Sequence, residues 1–156
     1  MTADEILRML RLPIADVAAA RRTLQGSAVT TSALVEALAR ADTSELRAFL
    51  CETIGKRCRG EAPPALLACL EDPAPNTRYV AADALASTHE PSAGPALLRR
   101  FLLESDPSVR GIIAGALGAV GYRKAIPALR DALASEHESI RHYAGWSLDQ
   151  LNAADK

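Results

Sequence analysis

Residues 109–118 read Val109-Arg110-Gly111-Ile112-Ile113-Ala114-Gly115-Ala116-Leu117-Gly118, and Ala125-Ile126-Pro127-Ala128-Leu129 follows shortly after. The first stretch places small or apolar side chains one before and three, four, six and seven after its arginine, a stripe at helical spacing. The second carries a proline near its start, where the first turn of a helix tolerates the missing N–H. This arrangement recurs along the chain. Leu46-Arg47, Thr77-Arg78 and Ile140-Arg141 align with Val109-Arg110, so the arginines stand 31, 32 and 31 residues apart. Four residues past each arginine is a small side chain (Cys51, Ala82, Ala114, Gly145), and seven past is Ile54, Leu85, Leu117 or Leu148. Pro-Ala-Leu follows the first three arginines, at Pro64-Ala65-Leu66, Pro95-Ala96-Leu97 and Pro127-Ala128-Leu129, with Leu70, Phe101 and Leu133 four past the triplet's leucine. Self-similarity at such a period signals stacked helical repeats.

The spacing predicts helix pairs over 31–40 with 45–55, 62–70 with 76–87, 93–103 with 107–119, and 123–134 with 138–151. Asp72-Pro73 and Asp106-Pro107 read as a helix-start cap followed by an early proline. Gly55, Gly118 and Gly121 read as stop signals. Two further helices, over 4–11 and 15–25, are expected to cap the N-terminal end, where Ile14 and Val17 fit the pattern but no arginine does. A single hairpin cannot bury its own apolar face, so neighbours must stack on it. The expected fold is all-α, a right-handed α-solenoid of about four helix pairs plus N-terminal capping helices. It forms one domain over 1–156, with 1–41 as cap and degenerate first repeat, 42–151 as regular repeats and 152–156 as a tail.

The unit beginning Val109-Arg110 and continuing into Ala125-Ile126-Pro127-Ala128-Leu129 resembles the short HEAT-like repeat of bacterial and cyanobacterial proteins related to phycobilisome lyases. The resemblance covers about 42–151 and extends loosely over the first 41 residues. It implies that the arginine-bearing helices line the concave face. It also implies that Arg47, Arg78, Arg110 and Arg141 form a structural ladder with acids near the repeat loops, matched here by Asp42, Asp72, Asp106 and Glu136 or Glu138.

Composition bounds the function. Hydrophobic residues make up 49% of the 156 residues and aromatics only 4%, so the core is aliphatic and alanine-rich, suited to closely approaching helices. A net charge of −1 supplies no general attraction for a phosphate backbone. No apolar run approaches a membrane span, and no basic segment followed by an apolar one opens the chain. Cys51, Cys58 and Cys69 are odd in number, without a C-x-x-C, and read as buried thiols in a reducing, cytoplasmic setting.

Reactive constellations are missing. There is no Gly-x-Ser-x-Gly, P-loop or Gly-x-Gly-x-x-Gly. His89-Glu90 and His137-Glu138 invite a metal reading, because the HEAT-repeat enzyme deoxyhypusine hydroxylase holds iron with His-Glu pairs just past the repeat arginine. Those slots here hold Ala48-Phe49, Tyr79-Val80, Gly111-Ile112 and His142-Tyr143, and the actual His-Glu pairs fall in turns. No metal or cofactor is expected. Arg21-Arg22, Lys56-Arg57 with Arg59, Arg99-Arg100 and Arg123-Lys124 resemble the basic rows of DNA-binding HEAT-like glycosylases, but most of them stand at helix C-terminal ends or in turns, where cations favour the negative end of the dipole.

Candidate binding residues lie one and five past each arginine, four apart on one helical face. Tyr79 and Asp83 would form one wall, His142 and Trp146 another, and Gly111 and Gly115 a floor of bare backbone between them, with Glu52 one helix further back. Mid-helix glycine costs about 1 kcal/mol relative to alanine, so two on one face suggest close approach by a guest or by a neighbouring helix. Phe49, Val80, Ile112 and Tyr143 read as half-buried between repeats. The leading function is an interaction module or adaptor that binds a peptide, helix or partner protein along its concave face. The alternative, by resemblance, is an enzyme or enzyme subunit like the bilin lyases, which attach a tetrapyrrole to a client's cysteine. Nucleic-acid binding is the third class.

Overall fold

A computed structural model describes residues 1–11, 19, 22–24, 29–58 and 60–153. These residues form helices α1 (Ala3–Leu10), α2 (Thr31–Ala39), α3 (Ser44–Arg57), α4 (Pro64–Cys69), α5 (Pro75–Thr88), α6 (Gly94–Leu103), α7 (Pro107–Ala119), α8 (Ile126–Ala132) and α9 (Glu138–Ala153). No strand occurs among the described residues. Most of the helix expected over 15–25, with Val17, lies outside them, as do Ile14, Arg21, Arg59 and 154–156.

Starts and stops follow local chemistry. Thr2 and Glu5 form a reciprocal capping box on α1, and Thr30 and Thr43 cap α2 and α3. Asp106 accepts from the Ser108 and Val109 amides at the start of α7. Asp72 does not cap α5: the N-cap is Ala74, with Pro75 in the first turn, and Asp72 lies two residues earlier. The αL positions beyond α3, α5 and α7 are Gly60, His89 and Gly121, at φ +77°, +54° and +69°. Gly121 is therefore a stop signal, as its sequence context predicts. Gly55 and Gly118 are not, because both lie inside helices and are buried. Single 3₁₀ turns, Pro91–Ala93 and Arg123–Ala125, precede α6 and α8 and shorten the expected helices there.

The most extensive packing runs α3 to α5 to α7 to α9, so the arginine-bearing helices stack in sequence, each paired with the preceding member of α2, α4, α6 or α8. One cluster of buried side chains runs from Ala3 to Leu151. Cys51, Ala82 and Ala114 are fully buried at the small-residue positions, and Leu66, Leu70, Leu97, Phe101 and Leu129 at the Pro-Ala-Leu helices. Leu133 breaks the pattern at 45% exposure, because α8 ends at Ala132. The three cysteines are free and buried. The neighbouring Cys69 thiol on α4 and burial push the Cys51 thiol up and leave it an inert packing group.

Gly55 and Gly118 explain how closely the stack packs. A Cβ on Gly118 would stand 2.7 Å from the Ser147 Cα, and one on Gly55 would stand 2.9 Å from the Ala84 Cα. Ser147 is fully buried and donates to the Ala114 carbonyl at 2.7 Å.

Two of the four arginines, Arg47 and Arg78, tie successive pairs together, but not with the expected set of acids. Arg47 grips Asp72 through Nε at 2.6 Å and Nη2 at 3.2 Å. Arg78 grips Glu104 through Nε at 2.8 Å and Nη2 at 2.9 Å. Each of these two arginines thus reaches forward to the loop of the next repeat, 25 or 26 residues on. Arg47, Arg78 and Arg141 also donate to carbonyls of their own preceding loops: Ala41, then Asp72 and Pro73, then Ser135 and Glu136. Asp42 instead pairs with Arg11 at 2.8 Å, Asp106 serves as the α7 cap, and Glu136 lies against His137 at 3.5 Å. Glu104, not Asp106, is the buried acid because it stands two residues before the N-cap, as Asp72 does. Ser135 occupies that place in the next repeat: its Oγ accepts from the His137 amide as Asp72 does from Ala74 and Glu104 from Asp106. Serine supplies no carboxylate, and the buried Nε of Arg110 has no hydrogen-bond partner. Its guanidinium lies over the Phe101 ring, 5.0 Å from the centroid.

Burial opposes ionisation of Glu104, but Arg78, the Asp106 amide and Arg100 outweigh it and hold its pKa at about 2, below the ordinary 4.5. A depressed carboxylate stabilises the fold above its unfolded pKa, so this contribution, about 3 kcal/mol, is present above pH ~4.5 and lost as pH falls toward 2. Glu104→Leu should cost about 3–5 kcal/mol in urea unfolding by stranding Arg78, and adding Arg78→Met should recover part of that loss. Ser135→Asp should give Arg110 its missing partner and raise stability by about 1–3 kcal/mol, whereas an unchanged midpoint would show that the third repeat does not use this register. Gly118→Ala gains about 1 kcal/mol of helix propensity yet should lower the melting temperature, because overpacking costs about 1–3 kcal/mol.

Candidate functional site

The stack leaves a groove of about 260 Å³ across α5, α7 and α9. Ala86, Ile112, Gly115, Ala116 and Ala119 form its apolar floor, and Asp83, His142, Tyr143 and Trp146 rise around it. Helical periodicity assembles this set: residues one, five and nine past an arginine share a face, so Asp83, Gly115, Ala119, His142 and Trp146 all reach the same side. The floor is shallow because its alanines and glycine carry little or no side chain.

The expected residues divide between several places. Asp83, Gly115, His142 and Trp146 are brought together in the groove. Tyr79, 37% exposed, lines a separate recess of about 200 Å³ with Pro75, Asn76, Asp106, Ser108 and Val109. Its phenol is raised by burial and by the nearby Tyr143 and Asp83, so it borders the groove without lining it. Glu52 lies apart on α3 and pairs with Lys56 at 2.6 Å. Gly111 does not present bare backbone, and Gly115 does so only in part. Both are buried, and a Cβ on either would meet the Tyr143 ring, at 3.4 Å from Gly111 and 3.0 Å from Gly115. Tyr143 thus fills most of the space foreseen as a notch, and the glycines seat a neighbouring helix. Tyr143 is half-buried between repeats, as are Phe49 and Val80, while Ile112 is 8% exposed.

Tyr143, Ala86, Ile112, Ala116 and Ala119 are the lining residues that sequence reasoning missed. The signal for the alanines was available, since Ala116 and Ala86 stand six and eight past their arginines, at helix-crossing positions where side chains must be small.

Two aromatic rings shape one side. His142 meets Tyr143 edge-on, with centroids 5.5 Å apart, and Trp146 remains 43% exposed. The Asp83 carboxylate makes no hydrogen bond or ion pair among the described residues, and the Ser87 hydroxyl donates to the Asp83 main-chain carbonyl instead. No lysine or arginine lines the groove.

Elsewhere several titratable groups are committed to the fold. Arg99 and Arg100 bind Glu71, Arg100 also binds Glu104, Arg57 donates to the Val29 carbonyl and Arg123 to that of Leu151. His89 contacts the Ala119 carbonyl at 3.1 Å, and Glu90 accepts from the Ser92 amide. Among the described residues, no three of His, Cys, Asp and Glu gather in a way that could hold a metal. None of the described helices is long and apolar enough to cross a membrane.

The sequence matches the family model for HEAT repeats over residues 31–110 and 101–156. Comparison with curated proteins gives no match. Among solved structures, the chain is similar to the complex of CpcE and CpcF of phycocyanin lyase from Nostoc sp. PCC7120, with a TM-score of 0.76 at 23% identity. That likeness covers 98% of this chain and 66% of the other, so the chain spans just under two thirds of the length it matches. At this identity the similarity is one of fold. The arginine period, the stacked helix pairs and the matched residues together place the chain in the HEAT-repeat family.

Proposed function

We propose that the chain is a protein-interaction module that docks a segment of a partner into the groove across α5, α7 and α9. The observation that carries this reading is Trp146, 43% exposed at the edge of an apolar groove with nothing in the described chain covering it. Tryptophan is enriched among residues that dominate binding energy, and such residues fill pockets on well-packed surfaces. The Arg47–Asp72 and Arg78–Glu104 pairs and the small-residue crossings supply a packed scaffold for it, so little ordering cost is left for the moment of binding. Three free thiols suit a reducing compartment. A lyase-type role, the second reading, draws on the shared fold alone, and would show as visible absorbance when the chain is co-expressed with pigment synthesis.

The test is affinity capture from native lysate, quantified by mass spectrometry, with the original chain and Trp146→Ala side by side. At least one partner should be retained by the original chain and lost by the variant, with affinity lowered about 30-fold or more. Tyr79→Ala, in the adjoining recess, should weaken capture less. Partners held equally by all three proteins would place binding elsewhere.

A further inference from the structure

We infer that the groove is built to receive a lysine or arginine side chain of the partner segment, its aliphatic stem along the floor and its cationic head between Asp83 and the rings of Trp146 and Tyr143. This rests on the docking function proposed above and specifies what the groove selects.

Size comes first. At about 260 Å³ the groove is below the roughly 300–1,000 Å³ of typical small-molecule sites, so it suits one or two side chains rather than a bulky cofactor. Shape comes second. A floor of Ile112, Ala116 and Ala119 accommodates a long unbranched stem, the part of lysine or arginine that packs on apolar surface while the head stays polar.

Charge decides the rest. Asp83 is the one carboxylate in the groove, and it has no counter-ion among the described residues. Its counterpart one helix back, Glu52, has Lys56 four residues on and pairs with it at 2.6 Å. Four residues past Asp83 stands Ser87, which donates to the Asp83 carbonyl and leaves the carboxylate alone. The nearest repeat arginines are occupied elsewhere, Arg78 by Glu104 and Arg110 over Phe101. Trp146 and Tyr143 also line the groove, and aromatic rings attract a cation and not an anion. An acidic side chain would meet Asp83 as a like charge, and a purely aliphatic one would leave it uncompensated.

The experiment selects binders from a phage-displayed library of random 12-residue peptides on the full chain. Synthetic versions are then titrated by fluorescence of Trp146, the sole tryptophan, and by anisotropy of labelled peptide for the Trp146→Ala variant. Enriched peptides should share one lysine or arginine flanked by aliphatic residues. Replacing that residue by norleucine or citrulline should weaken binding about tenfold, Asp83→Asn should do the same, and Trp146→Ala should weaken it at least as much. Peptides that need Trp146 but are indifferent to Asp83→Asn and carry no required cation would overturn the cation inference and leave groove docking intact. Peptides indifferent to both variants, or no enriched binder at all, would count against both. Circular dichroism of Asp83→Asn, a change at an exposed side chain, confirms that the fold persists.

Discussion

Where α3 meets α5 and where α7 meets α9, the helices come so close that a methyl group is more than the gap admits. A Cβ added at Gly55 or Gly118 would overlap the backbone of the helix stacked on it. This constraint sets the rest of the structure. It brings the backbone of one helix within reach of the Ser147 hydroxyl on the next, and it draws successive loops near enough for an arginine on one hairpin to reach a carboxylate on the following one. Loss of a side chain costs helix propensity at each glycine, and the tight helix–helix contact offsets it.

The arginine pairs convert that closeness into register. A buried ion pair adds little net stability by itself, because desolvating both partners consumes most of the Coulomb gain. Its value lies in the penalty for any other alignment, since a shifted hairpin would leave Arg78 and Glu104 buried and unpaired. Glu104 is fully enclosed and accepts from Arg78, Arg100 and the Asp106 amide, which is enough to satisfy both oxygens. The third repeat lacks this device. Serine at position 135 preserves the turn but not the charge, and Arg110 falls back on the ring of Phe101.

The groove is a by-product of the same geometry. Alanine and glycine at the crossings keep its floor low, while the larger side chains of α9 stand above it. Tyr143 is shared between the stack and the groove: it covers Gly111 and Gly115 of α7, and its ring also forms part of the groove wall. A partner docked as proposed would therefore bear on a residue that also seals the stack.

Spacing alone made the architecture legible. Four arginines at 31 or 32 residues, each followed by a small residue and then an aliphatic one, determine paired helices and the order in which they stack, because helical periodicity is a local property of the chain. The same periodicity puts Asp83, Gly115, His142 and Trp146 on one face, with no knowledge of how the helices cross. It could not say that Glu104 rather than Asp106 receives Arg78, that Gly55 and Gly118 are contacts rather than stops, or that Tyr143 covers Gly111 and Gly115. Those outcomes turn on how one hairpin is superposed on the next, to within an ångström or two, and only the packed tertiary structure decides them.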